Sequence, residues 1–132
     1  MTELDRFINL QMPDNPSFSK IVNKISREEF QNLYPTLIQE KWFSVRELDT
    51  FSFQKSPGSL AGRYLIKKAI ADHLNLAFDK SEIEILNNEF GKPDIYLALN
   101  LRRIVDNAGI KKIWCSISHS RNMIAGMTIL SY

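Results

Sequence analysis

A chain of 132 residues, 44% apolar and 24% charged, has the composition of one soluble globular domain with a single core. Its net charge of only +2 gives no global field, so an anion site must come from local clustering, and a nucleic-acid role is not expected. One cysteine, Cys115, excludes an internal disulfide framework and a multi-cysteine metal cluster, while no apolar run suits a bilayer and Met1–Arg6 lacks a signal-peptide pattern; a cytoplasmic protein without membrane attachment is expected.

Residues 1–17, with Pro13, Asn15 and Pro16, read as a loosely determined entry to a single domain spanning 1–132. After Ser17, the residues Phe18, Ile21, Val22 and Ile25 fall on one apolar stripe and predict a first helix. Ser26 and Glu29 form a capping box for a second helical segment toward Tyr34, which Pro35 is expected to interrupt. Ser44 and Glu47 repeat that signature before a short helix. The firmest start is Ser56-Pro57, with Ser59 as an alternative cap, opening a helix that buries Leu60, Tyr64, Leu65, Ala69, Ala71 and Leu74 and ends at Asn75.

Beyond it, Ile83 and Ile85 alternate with Glu82 and Glu84 as a half-buried strand does. Residues 87–93 read as a turn, and Ile95, Leu97 and Leu99 mark a second strand. Asn100 is expected to cap a helix with Leu101, Ile104, Val105 and Ala108 facing inward and Gly109 at its end. Segments 113–118 and 123–130 then flank the turn His119-Ser120-Arg121-Asn122 as a hairpin. The order predicts an α+β domain, an antiparallel sheet packed against a long helix.

Chemistry-bearing side chains collect in the last two thirds of the chain. Arg63 and Lys67 are four residues apart on one helix face, and Lys68 is turned about 100° from Lys67. Such a cluster suits phosphate groups through charge-assisted hydrogen bonds, although a solvated basic face is the commoner use of the same residues. Lys92 and His119 sit on turns that would converge nearby, and Ser118 and Ser120 flank the histidine with hydroxyl and N–H donors. His73 reads as structural. Cys115, alternating with Ile113 and Ile117, reads as a small core residue.

Arg63-Tyr-Leu-Ile-Lys67-Lys68-Ala69, then Gly91-Lys92-Pro93, then Ser116-Ile-Ser118-His119 resemble, in order and spacing, the holo-acyl-carrier-protein synthase branch of the 4′-phosphopantetheinyl transferases. The likeness covers residues 57–132 and is faint before them. It implies the fold of that superfamily and transfer of 4′-phosphopantetheine from coenzyme A to a serine of an acyl carrier protein, as in fatty acid or polyketide biosynthesis. It also implies a homotrimer with sites between subunits. By position, the resemblance puts Arg63, Lys67, Gly91, Lys92, Pro93, Ser118, His119 and Ser120 around coenzyme A.

Three departures accompany the likeness. The family's Mg²⁺-binding glutamate is Lys68 here, and its phosphate-contacting lysine one turn later is Asp72. The second metal ligand of the family, an aspartate ending an N-terminal strand, has no visible counterpart; Asp14 and Asp5 are the nearest substitutes, with Glu47 and Asp49 as further carboxylates for a rebuilt site. A lysine ammonium about 4 Å from Mg²⁺ would repel it by about 8 kcal/mol at an effective dielectric of about 20. Mg²⁺ as a cofactor is therefore doubtful. Lys68 and Asp72 exchange the charges of one helical turn, and they are the altered positions through which catalysis would be affected. Two functions follow: a divergent transferase, or a catalytically inactive relative that binds its carrier protein or coenzyme A. For the second, Lys24, Arg27, Arg46 and Lys55 would help steer an acidic carrier.

Overall fold

A nine-residue strand at the C-terminus lies at the centre of the architecture. In a computed structural model, which describes residues 17–75 and 79–132, β1 (Phe18–Ser26) is followed by α1 (Arg27–Gln39), α2 (Val45–Thr50) and α3 (Pro57–Leu74). After a 3-10 turn at Lys80–Glu82 come β2 (Ile83–Asn87), β3 (Pro93–Leu97), α4 (Leu99–Asn107), β4 (Lys112–His119) and β5 (Met123–Ser131). The main sheet has the order β1-β5-β4 and is antiparallel throughout; β2 and β3 form a separate two-stranded sheet. The domain is thus α+β, as the sequence order implied.

The first expected helix is a strand. Along β1 the exposure alternates, with Ile21, Asn23 and Ile25 turned in and Val22 and Lys24 turned out. A short apolar stripe satisfies both periods, and the partner decides: β5 pairs with it over its full length, from Phe18↔Ser131 to Ser26↔Met123. β-branched Ile21, Val22 and Ile25 suit that pleated surface.

Both capping boxes form. Ser26 Oγ accepts from Glu29 N at 3.0 Å, and Ser44 Oγ accepts from Glu47 N at 3.1 Å. Pro35, however, lies inside α1 and does not end it. Phe30 and Leu37, each 1% exposed, bury on either side of the proline and hold the helix across it. Two smaller expectations also shift. β3 ends at Leu97, with Leu99 already in α4, and the residue before α4 is Ala98, so Asn100 lies within the helix. Ala108 is exposed.

α3 runs between the two halves of the core. One cluster holds Ile25, Phe30, Leu37, Phe43, Phe51 and Leu60; the other holds Ile66, Ile70, Ile83, Ile85, Leu101 and Leu130. From Gly58 to Ile70 the helix is buried on nearly all sides, and Lys68 is the one exposed residue of that stretch. Gly62 permits the closest approach to the sheet: a Cβ there would sit 2.2 Å from Ile117 Cγ2. Asn75 closes the helix with φ of 51°, the left-handed conformation that asparagine tolerates.

Candidate functional site

The two cations expected to face phosphate first, Arg63 and Lys67, point into the protein. Lys67 is fully buried, and its Nζ donates to Glu47 Oε1 at 2.5 Å and to the Trp42 carbonyl at 2.7 Å. Glu47, equally buried, also accepts from Ser44 N and, through Oε2, from Ile85 N at 2.9 Å. This ion pair therefore ties α2, α3 and β2 together. Arg63 is 2% exposed; it donates to the carbonyls of Ile85 at 2.7 Å and Ser59 at 3.1 Å and to Asn87 Oδ1 at 3.0 Å. Its guanidinium also lies 3.7 Å from the centroid of the Phe51 ring. Burial pushes both pKa values down, opposed in each case by the Glu47 carboxylate.

The expectation that Arg63 and Lys67 line a coenzyme pocket is corrected on those contacts. Helical spacing puts both on one face, but that face meets α2 and β2, and their donors are already committed. Glu47 is likewise unavailable as a replacement metal ligand. Asp49 is exposed on α2, and Asp5 and Asp14 lie outside the described residues.

Lys68 faces a different environment. It lines a cleft of about 530 Å³ with Asn23, Lys24, Glu29, Asn32 and Tyr64, between β1, α1 and α3. Asp72 accepts from Lys68 Nζ at 3.1 Å, but with the two side chains 46% and 67% exposed the pair is screened and weak. Across the cleft, Asn23 Nδ2 donates to the Leu65 carbonyl at 2.9 Å and fixes β1 against the helix. The sequence reading missed this strand, which reads Phe-Ser-Lys-Ile-Val-Asn-Lys-Ile-Ser and holds no carboxylate.

These residues do not fit the divalent metal that the resemblance implies. Mg²⁺ requires hard oxygen donors in near-octahedral array. The cleft presents Lys24 and Lys68 and a single carboxylate, Glu29, whose Oε1 accepts from Ser26 N in the capping box at 3.1 Å. Among the described residues no group of three His, Cys, Asp or Glu side chains is arranged to hold a metal ion.

The remaining candidates fall on two turns near the start of α3. His119 ends β4, and its ring packs over Gly58, where a Cβ would lie 3.1 Å from the imidazole Cγ. Arg27, not anticipated here, braces the same turn: its Nη2 donates to the Ser120 carbonyl at 3.1 Å, and its N–H donates to the Asn122 carbonyl. Ser118 is exposed, but the Ser120 N–H, expected to be open to phosphate, closes the turn on the Met123 carbonyl at 2.9 Å.

The Gly91-Lys92-Pro93 turn is built by Asn88, whose Oδ1 accepts from Phe90 N and Lys92 N, and Gly91 adopts φ of 77°. Lys92 and Pro93 line a groove of about 660 Å³ between the β2–β3 hairpin, α4 and β4. Arg63 links the two regions from behind, because its partner Asn87 pairs with Pro93 across the hairpin. All three motifs therefore gather around the first half of α3, but Lys68, Lys92 and His119 occupy separate surfaces of it. Cys115 is half-buried, with its thiol donating toward the Pro93 carbonyl at 3.9 Å, and burial pushes its pKa up to about 12.

No protein-family model matches the chain. Named proteins do. The holo-acyl-carrier-protein synthase of Geotalea daltonii is 32% identical over 112 residues, covering 80% of this chain and 90% of its own length. This chain belongs to the holo-acyl-carrier-protein synthase family.

The synthase of Caldanaerobacter subterraneus gives the same 32% over 94 residues, 68% of this chain and 74% of that one. Among solved holo-acyl-carrier-protein synthases, that of Neisseria meningitidis superposes with a TM-score of 0.72 at 18% identity, over 86% of this chain and 97% of its own. The Helicobacter pylori synthase, solved in complex with coenzyme A, gives 0.68 at 18% identity over 86% and 100%. The chain is accordingly a phosphopantetheinyl transferase by family, with the synthase fold.

Proposed function

We propose that this protein transfers 4′-phosphopantetheine from coenzyme A to a serine hydroxyl of an acyl carrier protein. The serine oxygen bonds to the phosphorus that carries pantetheine, and the bond from that phosphorus to the diphosphate bridging oxygen breaks. Adenosine 3′,5′-bisphosphate leaves, and the serine proton passes to solvent. The observation that carries this reading is family membership at 32% identity across 80% of the chain.

The resemblance supplies the residue roles. Lys92, with Gly91 and Pro93, takes the nucleotide side of coenzyme A, and Ser118 and His119 take its phosphate from a separate surface, which a site shared between subunits of the proposed homotrimer would bring together. Arg63 and Lys67 act as positioning residues behind them, holding β2 and α2 against α3. Lys68 and Asp72 stand at the diphosphate. Tyr96, 52% exposed on β3, is the side chain we assign to the surface of the proposed homotrimer. A cytoplasmic setting agrees with the single cysteine and with the lack, among the described residues, of a helix able to cross a membrane.

A second reading has its own support. With Lys68 in the cleft and no carboxylate on β1, the protein would bind coenzyme A or carrier protein without transfer. Incubation with coenzyme A and several apo carrier proteins, read by intact mass, separates the two. A carrier that gains one phosphopantetheine supports the transferase; complex formation with unchanged carriers supports the binding module.

A further inference from the structure

The cleft between β1, α1 and α3 departs from its family's chemistry in one direction only: positive charge stands where a divalent cation would be held. Lys68 is the single exposed residue in a helix stretch otherwise buried, and Lys24 lines the same cleft from the strand opposite. Lys68 stands on α3 at the position to which the resemblance assigns a metal-binding glutamate. Cleft walls from Asn23, Asn32 and Tyr64 add neutral polar groups, and Glu29 is engaged at the start of α1.

We propose that this cleft binds the diphosphate of coenzyme A on the tethered ammonium of Lys68, without a divalent metal. The inference rests on the coenzyme A reading above. A tethered ammonium forms charge-assisted hydrogen bonds to phosphate oxygens as a metal forms coordination bonds. It also needs no free ion, so the affinity for coenzyme A becomes independent of Mg²⁺ concentration. Asp72 competes for the same ammonium from one turn away.

Calorimetric titration of the full chain with coenzyme A, once in EDTA and once in Mg²⁺, tests this directly. Wild type is expected to bind equally in both, within about twofold. Lys68→Ala is expected to bind about tenfold or more weakly in EDTA, with no recovery in Mg²⁺. Asp72→Asn should bind about twofold more tightly, since it releases the lysine from its intrahelical partner. Arg103→Ala, which removes an exposed charge on α4 outside the cleft, should leave the affinity unchanged, and thermal unfolding checks that each variant is folded. Binding by wild type only in Mg²⁺, or undiminished binding by Lys68→Ala in EDTA, overturns the metal-free site while the transferase reading stands. No binding of coenzyme A under either condition overturns both.

Discussion

Lys67 and Lys68 are adjacent, carry the same charge, and end in opposite environments, one fully buried against Glu47 and the other exposed in a cleft. Because the first is a desolvated pair, removing one partner leaves an uncompensated charge. Lys67→Met is expected to destabilise the fold by about 3–5 kcal/mol in urea denaturation. Combining it with Glu47→Gln, which removes the stranded charge but keeps an acceptor for only one of the Ser44 and Ile85 amides, should recover part of that loss; a double variant no better than the single one would show that the ion pair is not the cause. Cys115 makes a prediction of opposite kind. Its thiol is raised to about 12 in the fold against about 8.5 in an unfolded chain, so its contribution is whole below pH about 8.5 and is lost as pH rises toward 12. Between pH 8.5 and 10, stability should fall more steeply in wild type than in Cys115→Ala, by about 1 kcal/mol per pH unit. Parallel slopes would place the thiol in water.

At the scale of elements, local signals were read well where they act locally. The boxes Ser26/Glu29 and Ser44/Glu47 each stand at the head of a real helix, because a cap needs only its own turn, whereas α3 starts at Pro57 with no side-chain cap from Ser56. Pro35 was misread for the reciprocal reason: it weakens a helix that distant packing then sustains. Since its ring removes one hydrogen bond in a helix interior, Pro35→Ala should stabilise the protein by about 1–3 kcal/mol, seen as a raised urea midpoint with an unchanged slope. A lower midpoint would mean that the proline itself is needed by the fold. β1 shows the same dependence on distant partners, since its strand conformation comes from β5, roughly a hundred residues away in sequence.

At the scale of the whole molecule, the tolerance between helix and sheet is set at Gly62. An alanine there would drive its methyl into Ile117, and Gly62→Ala is expected to cost about 1–3 kcal/mol. Ile117→Ala opens a cavity by itself, but paired with Gly62→Ala it should give less than the sum of the two losses in a double-mutant cycle. Strict additivity would show that the helix can shift away. This contact matters for the site because α3 carries Gly58 beneath His119 of β4, Arg63 against the β2–β3 hairpin and Lys68 along the cleft. A displacement of α3 would disturb all three at once.

The order of motifs along the chain, Arg63 to Lys68, Gly91 to Pro93 and Ser116 to His119, was enough to indicate the synthase family and the α+β class, since both are carried by residue identity and spacing. Which of those residues face a ligand was not legible there. A helix wheel states that Arg63 and Lys67 share a face, but only the packing of α2 and β2 makes that face interior, and only the placement of β1 and α1 against α3 forms the cleft that Lys68 lines. Burial and strand pairing depend on contacts between residues far apart in the chain, and local spacing carries no information about them.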